Sequence, residues 1–355
     1  MQLFTETRLG RLQLKNRIVM APMTRSRADN VSDVPTAAMK EYYRQRASAG
    51  LLITEGTQPS ADGKGYCRTP GIYTQEQVSA WRGITDAVHA EGGQIVLQIM
   101  HCGRVAHPEN KAPGARTLAP SAITATGDMF TEHGMLPFVE PQEMSAADIT
   151  ETIADYRQAT KNAYAAGFDG VELHCTSGYL PAQFLSTGSN KRTDSYGGSL
   201  DNRLRFVLDV LEAMCAVDGA DRVGMRICPG NPFNDLQDDN HQETFSALLQ
   251  KVDPLALAYL HVIRMPALGL DNISLARNNY RGALIVNESY SCEEAESELD
   301  DQIQAVSFGR PFIANPDLPD RFRENLPLSK IDMKTLYTQG EAGYTDYQAS
   351  YGHSN

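Results

Sequence analysis

The chain has 355 residues, a formal net charge of −12, 41% hydrophobic residues and 21% charged ones. That balance describes a globular protein with a sizeable core; with no basic run to displace counterions, it argues against nucleic-acid binding. No window approaches the roughly 20 apolar residues that a membrane span needs.

The start, Met1-Gln2-Leu3-Phe4-Thr5-Glu6, lacks the basic cap and apolar run of a secretory signal. Residues 7–14, Thr-Arg-Leu-Gly-Arg-Leu-Gln-Leu, read as a small β-hairpin. Short apolar runs follow at 17–21, 51–54, 94–99, 170–174, 223–228, 258–262, 283–286 and 303–308. Their apolarity is continuous rather than alternating, which suits strands buried on both faces of a parallel sheet. Helical patterns lie between them. They cover 39–49, 75–91 closing on Gly92-Gly93, a helix opened by Ser145-x-x-Asp148 and running to about Gly167, and one opened by Ser199 with Leu204, Val207, Leu208 and Leu211 on one stripe. Eight runs alternating with helices predict an α/β fold, a (β/α)₈ TIM barrel of one domain over residues 1–355.

Such a barrel needs about 250 residues, so roughly 100 remain to be placed. The hairpin takes some. The stretch 102–145, with prolines 108, 113, 120, 137 and 141, is a long insertion between the third strand and its helix, the kind of loop that serves as a lid or binding loop. A C-terminal extension from about residue 325, carrying Tyr337, Tyr344, Tyr347 and Tyr351, absorbs the rest. Six cysteines are scattered without a C-x-x-C pair, which fits reduced thiols and a cytoplasmic location.

Barrel chemistry sits at the C-terminal ends of strands. There the first strand presents Pro22, Met23 and Thr24, the second Gly56, and the third Gln98 and Met100. The fourth ends in His174, the fifth carries Arg226, the seventh leads into Glu288-Ser289, and the eighth ends at Phe308-Gly309-Arg310. The last group, beside the seventh turn, suits a phosphate held by backbone N–H groups and one arginine. In Asp169-Gly-Val-Glu-Leu-His174-Cys-Thr-Ser-Gly-Tyr179, an imidazole and a phenol are brought together across one turn. The first can polarise a carbonyl oxygen; the second, protonated at neutral pH, can deliver a proton.

Several blocks carry a resemblance. They are Leu14-Lys-Asn-Arg-Ile18 through Ala21-Pro-Met-Thr-Arg25, Tyr42-Tyr-Arg-Gln-Arg-Ala47, Asn190 through Arg203, Phe308 through Leu318, and Gly343-Tyr-Thr-Asp-Tyr347. In this order they resemble the old yellow enzyme family of flavin-dependent ene-reductases across almost the whole chain. The resemblance implies an FMN at the barrel mouth and NAD(P)H as hydride donor. Thr24 would hydrogen-bond the flavin carbonyl side, Gln98 the pyrimidine edge, and Arg226 would sit by the ring edge that becomes anionic on reduction. Pro22, Met23 and Gly56 would let the ring lie close to backbone; Glu288, Ser289, Phe308, Gly309 and Arg310 would take the phosphate end. An activated alkene would place its carbonyl or nitro oxygen against His174 and Ser177 and receive its proton from Tyr179. Met100 and Tyr337 would line the substrate space.

Three residues depart from the family pattern. Ser177 stands where asparagine or a second histidine is usual, Met100 where tryptophan is common, and Glu288 where the phosphate turn offers glycine. The glutamate side chain must therefore point away from the phosphate. Two rivals remain: a flavin-binding sensor or partner module with little turnover, and a non-redox barrel acting on a sugar phosphate. The second lacks a lysine at any predicted strand mouth. His101 and His107 read as loop residues, without a partner set for a metal. A small molecule is the expected partner, the chain acting as monomer or homodimer.

Overall fold

A computed structural model describes residues 1–350; Tyr351 of the expected tail aromatics lies outside them. Eight parallel strands close into a barrel in sequence order: β1 Ile18–Met20, β2 Leu51–Ile53, β3 Ile95–Ile99, β4 Gly170–Cys175, β5 Val223–Ile227, β6 Tyr259–Ile263, β7 Leu284–Asn287 and β8 Ile303–Phe308. Closure falls between β8 and β1, where Val306, Ser307 and Phe308 pair with Ile18, Val19 and Met20. Each expected run overlaps one strand, three of the strands ending one residue beyond it. Nearly every strand residue is buried, as the unbroken apolarity requires, because helices cover the outer face and side chains fill the inner one.

Side chains at capping positions set the helix starts. Thr74 and Gln77 form a reciprocal capping box on α2 (Gln75–Ala90), and Ser145 with Asp148 does the same on α3 (Ala146–Ala165). Ser199 accepts from the Asn202 amide at the start of α4 (Leu200–Asp218). The first helix, α1 (Ala37–Gln45), stops short of the expected residue 49. There Arg46, fully buried, turns its guanidinium onto the carbonyls of Phe312 and Ile313 (2.9 and 2.8 Å), trading a further helical turn for a tie to the segment after β8.

The N-terminal hairpin, Thr7–Leu9 paired with Leu12–Leu14, is a plug. Its Leu9, Leu12 and Leu14 pack with Val19, Leu51, Val96, Tyr259, Ile285 and Ala305 inside the barrel, sealing one end with apolar surface. Burying each leucine is worth about 1.5–3 kcal/mol. The other end, where the strands finish, stays open to chemistry.

Two segments border that open end. The long insertion contains an antiparallel hairpin, Asp128–Thr131 with Gly134–Pro137, which periodicity alone does not reveal in a proline-rich stretch. Its Met129 packs with Met100, Val105 and Tyr179, against Tyr66 and Phe138. The C-terminal extension is tied down by arginines: Arg25 donates to the Gly343 carbonyl (2.8 Å), Arg27 to that of Thr335 (2.8 Å) and Arg68 to that of Tyr337 (2.8 Å). Tyr344 stacks on Tyr42 at 4.1 Å between ring centres, so this tail aromatic packs against the barrel as a structural anchor.

Candidate active site

Two adjoining cavities lie at the strand ends. One, of about 150 Å³, is lined by Pro22, Thr24, Gly56, Gln98, Met100, His174, Ser177, Tyr179, Arg226 and Ile263. The other, of about 210 Å³, has walls from Pro22, Met23, Arg226, Asn287, Glu288, Ser289, Phe308, Gly309 and Arg310. They share Pro22 and Arg226, forming one trough with one part between β2 and β5 and another between β7 and β8. Fifteen of the sixteen residues expected from the sequence thus line this trough.

Tyr337 is the exception. Its ring is half exposed, and it belongs to neither cavity wall. Arg68 anchors its carbonyl while the side chain stays in solvent at the rim. His101 is also separate: it is sealed from solvent, with Nδ1 accepting from the Gly103 amide at 3.1 Å.

The part between β2 and β5 combines an imidazole with two phenols. Gln98 Nε2 approaches His174 Nδ1 at 3.4 Å; because the amide nitrogen only donates, Nδ1 is the acceptor and the ring proton sits on Nε2. Burial, reinforced by the Arg226 charge, pushes His174 down to about 3, so the ring is a neutral donor at physiological pH. The His174 and Tyr179 rings lie 5.1 Å apart. Tyr179, almost fully buried, donates its hydroxyl proton to Tyr66 Oη at 3.0 Å, and burial raises its pKa. No motif marks Tyr66 in the sequence; it sits in the loop after β2, and only the fold brings it to Tyr179.

Ser177 occupies a left-handed turn (φ 59°), and its carbonyl accepts from Asn234 Nδ2 at 2.8 Å. Gly56 is a close approach: a Cβ there would meet the Met100 thioether at 2.5 Å. The glycine therefore lets Met100, its neighbour in the cavity wall, pack directly against backbone.

Between β7 and β8, Glu288 and Ser289 both take positive φ (97° and 55°). Arg264 fastens the turn from outside, donating to the carbonyls of Glu288 (2.7 Å) and Ser289 (2.9 Å). Among the described residues, neither amide of this turn donates a hydrogen bond, nor do those of Gly309 and Arg310, and the exposed Arg310 guanidinium has no partner. The Glu288 carboxylate accepts from Ser289 Oγ at 2.7 Å and is exposed. Unused N–H groups, a free guanidinium and a positive-φ turn make an anion cradle.

A barrel whose open end holds a ring-sized, hydrogen-bonding floor beside an anion cradle defines the class: a (β/α)₈ binder of a phosphorylated planar cofactor. The particular family follows from comparison. Residues 2–329 match the NADH:flavin oxidoreductase / NADH oxidase family, and the chain belongs to it. Among its relatives is a probable flavin mononucleotide-dependent alkene reductase of Leishmania infantum, 44% identical over 349 residues that cover 96% of this chain and 95% of that one. The 12-oxophytodienoate reductase 7 of Oryza sativa subsp. japonica is 40% identical, with 97% and 94% covered. Of solved structures, morphinone reductase in complex with tetrahydroNAD superposes with a TM-score of 0.93 at 43% identity, covering 99% of each chain. The old yellow enzyme homologue of Zymomonas mobilis gives 0.93 at 39% identity, with 98% of this chain and 99% of that one covered.

Proposed function

We propose that the protein is an FMN-dependent NAD(P)H ene-reductase that saturates the C=C bond of α,β-unsaturated carbonyl or nitro compounds. The observation that carries this reading is the trough, where a neutral imidazole donor and a buried phenol face a ring-sized space that continues into an anion cradle. The fit to FMN rests on the same features. Gln98 and Thr24 border the ring space, Arg226 spans both parts, and Gly309, Arg310 and the 288–289 turn hold unused donors where a phosphate would lie. When bound, FMN supplies the two-electron chemistry that accepts hydride equivalents from a nicotinamide and passes them to an alkene.

The chain's own residues do the rest. His174, with its proton on Nε2, donates to the substrate oxygen and stabilises the negative charge that grows there as the β-carbon is reduced. Ser177 is the second donor, with a shorter reach than an amide. Tyr179 gives its proton to the α-carbon; Tyr66 Oη, 3.0 Å away, holds that hydroxyl in place between turnovers. General-acid assistance of this kind is worth about 10²–10⁴-fold. Met100 and Met129 leave a pliable apolar wall, which suits substrates of varied outline.

The test is a split of half-reactions. Tyr179→Phe is expected to slow reduction of 2-cyclohexenone by roughly 10²-fold or more, while reduction of the bound flavin by NAD(P)H stays near wild type. Equal loss in both halves removes Tyr179 from the acid role. A wild-type protein that is colourless and refuses added FMN removes the reductase altogether.

A further inference from the structure

Beneath the trough a polar row runs on from Gln98 and Arg226, and two of its members, Glu172 and His261, are used by no part of the proposed reaction. Gln98 Nε2 donates to Glu172 Oε1 at 2.8 Å, and Glu172 Oε2 lies 2.9 Å from His261 Nδ1. His261 Nε2 lies 2.8 Å from Ser307 Oγ and 2.7 Å from Arg226 Nη1. Arg226 Nη2 donates to Asn287 Oδ1 at 2.7 Å, and Asn287 Nδ2 donates to the Ser307 carbonyl at 2.9 Å. The network therefore crosses β3, β4, β5, β6, β7 and β8, and both Glu172 and His261 are wholly shut off from solvent. Neither lines the cavity.

The hydrogen-bond pattern fixes the charges. An ionised carboxylate only accepts, so the His261 proton sits on Nδ1, facing Glu172, and Nε2 accepts from Ser307 Oγ, while Arg226 Nη1 lies against both ring nitrogens, 3.1 Å from Nδ1 and 2.7 Å from Nε2. Burial opposes the charge on Glu172, but His261, Arg226 and Gln98 together hold it below its ordinary range. His261, by contrast, is pushed down to about 4, chiefly by burial and then by the Arg226 charge. The row thus contains one anion, one cation and a neutral ring between them. An ionised carboxylate sealed in a barrel carries a desolvation penalty that a leucine would not, which makes position 172 a poor choice for stability alone.

We propose that Glu172 is a positioning and charge-setting residue for the flavin site, acting through Gln98 and Arg226, with His261 as the bridge. The inference rests on the FMN reading above. By taking Nε2 on the underside, Glu172 fixes the Gln98 amide plane and leaves Oε1, which has no partner among the described residues, as the acceptor for the cofactor's imide edge. By offsetting the Arg226 charge, it limits how strongly that arginine favours an anionic ring, and so keeps the flavin potential lower than the arginine alone would set it.

Glu172→Gln in the holoenzyme removes the charge while keeping the shape. The flavin midpoint potential is expected to move to more positive values, and a phenolate ligand, read by its charge-transfer band, to bind several-fold more tightly. A folded, yellow variant with unchanged potential and unchanged phenolate affinity overturns the proposal. If that variant does not accumulate, Glu172→Asp decides. It keeps the charge but draws the carboxylate back from Gln98, so the FMN dissociation constant should rise about tenfold, the equivalent of one hydrogen bond to a charged group; unchanged FMN affinity overturns the proposal. Both outcomes are distinct from a wild-type protein that binds no FMN, which would sink the flavin reading itself.

Discussion

Ser177 shows how much a single side chain decides at this site. In the proposed reaction its hydroxyl is the second donor toward a substrate oxygen, but it extends only one bond beyond Cβ. An asparagine would place its NH₂ farther into the space shared by His174 and Tyr179. The backbone permits that exchange, because φ is 59° at this position and asparagine tolerates the left-handed region better than most residues. Ser177→Asn is therefore expected to bind cyclic enones about tenfold more tightly, the value of one added hydrogen bond, without loss of thermal stability. Unchanged dissociation constants on titration of the oxidised enzyme would show that reach is not limiting. The place of His174 and Tyr179 at the trough was legible at this scale, because an apolar run ending in histidine announces a strand mouth. Tyr66 was not, since its importance comes from a contact 113 residues distant in sequence.

Elements bring such distant residues to one place, and the turn after β7 is the clearest case. Glu288 occupies a positive-φ position where glycine would be unstrained, at a cost of order 1–3 kcal/mol. Arg264, at the end of β6, offsets that strain by fastening both carbonyls of the turn and covering Tyr290, whose ring centre lies 3.6 Å from the guanidinium carbon. Strand ends and the Gly-Arg pair could be read from hydrophobic runs, so the anion cradle was legible in outline. Arg264 was not, because an arginine after an apolar run resembles any surface cation until the neighbouring strand is known. Arg264→Ala is expected to loosen the turn and raise the FMN dissociation constant about tenfold, while riboflavin, lacking the phosphate, keeps its affinity. Parallel loss for both flavins would mean that the arginine supports the barrel rather than the cradle. The insertion hairpin was hidden for a related reason: two four-residue strands among prolines carry too little period to stand out.

Across the whole molecule, the barrel seals titratable groups whose protonation couples to folding. His101, His174 and His261 are held neutral, at about 3, 3 and 4, mainly by burial. Each has a depressed folded pKa, so the stability it contributes is present above the unfolded value near 6.5 and is lost as pH falls toward the folded one. Glu55 and Asp155 work in the opposite sense. Burial raises them to about 7 and about 6, so the stability they contribute is fully present below their unfolded values and is lost as pH rises through the folded ones. At pH 5 to 6 the unfolded chain gains between two and three protons on the histidines, roughly, and the native state holds between one and two more on the two carboxyls; the difference is about one proton. The histidines win. Unfolding free energy, measured by denaturant titration, should fall by about 1.4 kcal/mol for each pH unit lowered across this window. Glu55→Gln should steepen that fall, because it removes one opposing proton. A flat profile from pH 6.5 to 5 in the wild type would mean that water reaches these imidazoles and that the barrel interior is less dry than its packing implies.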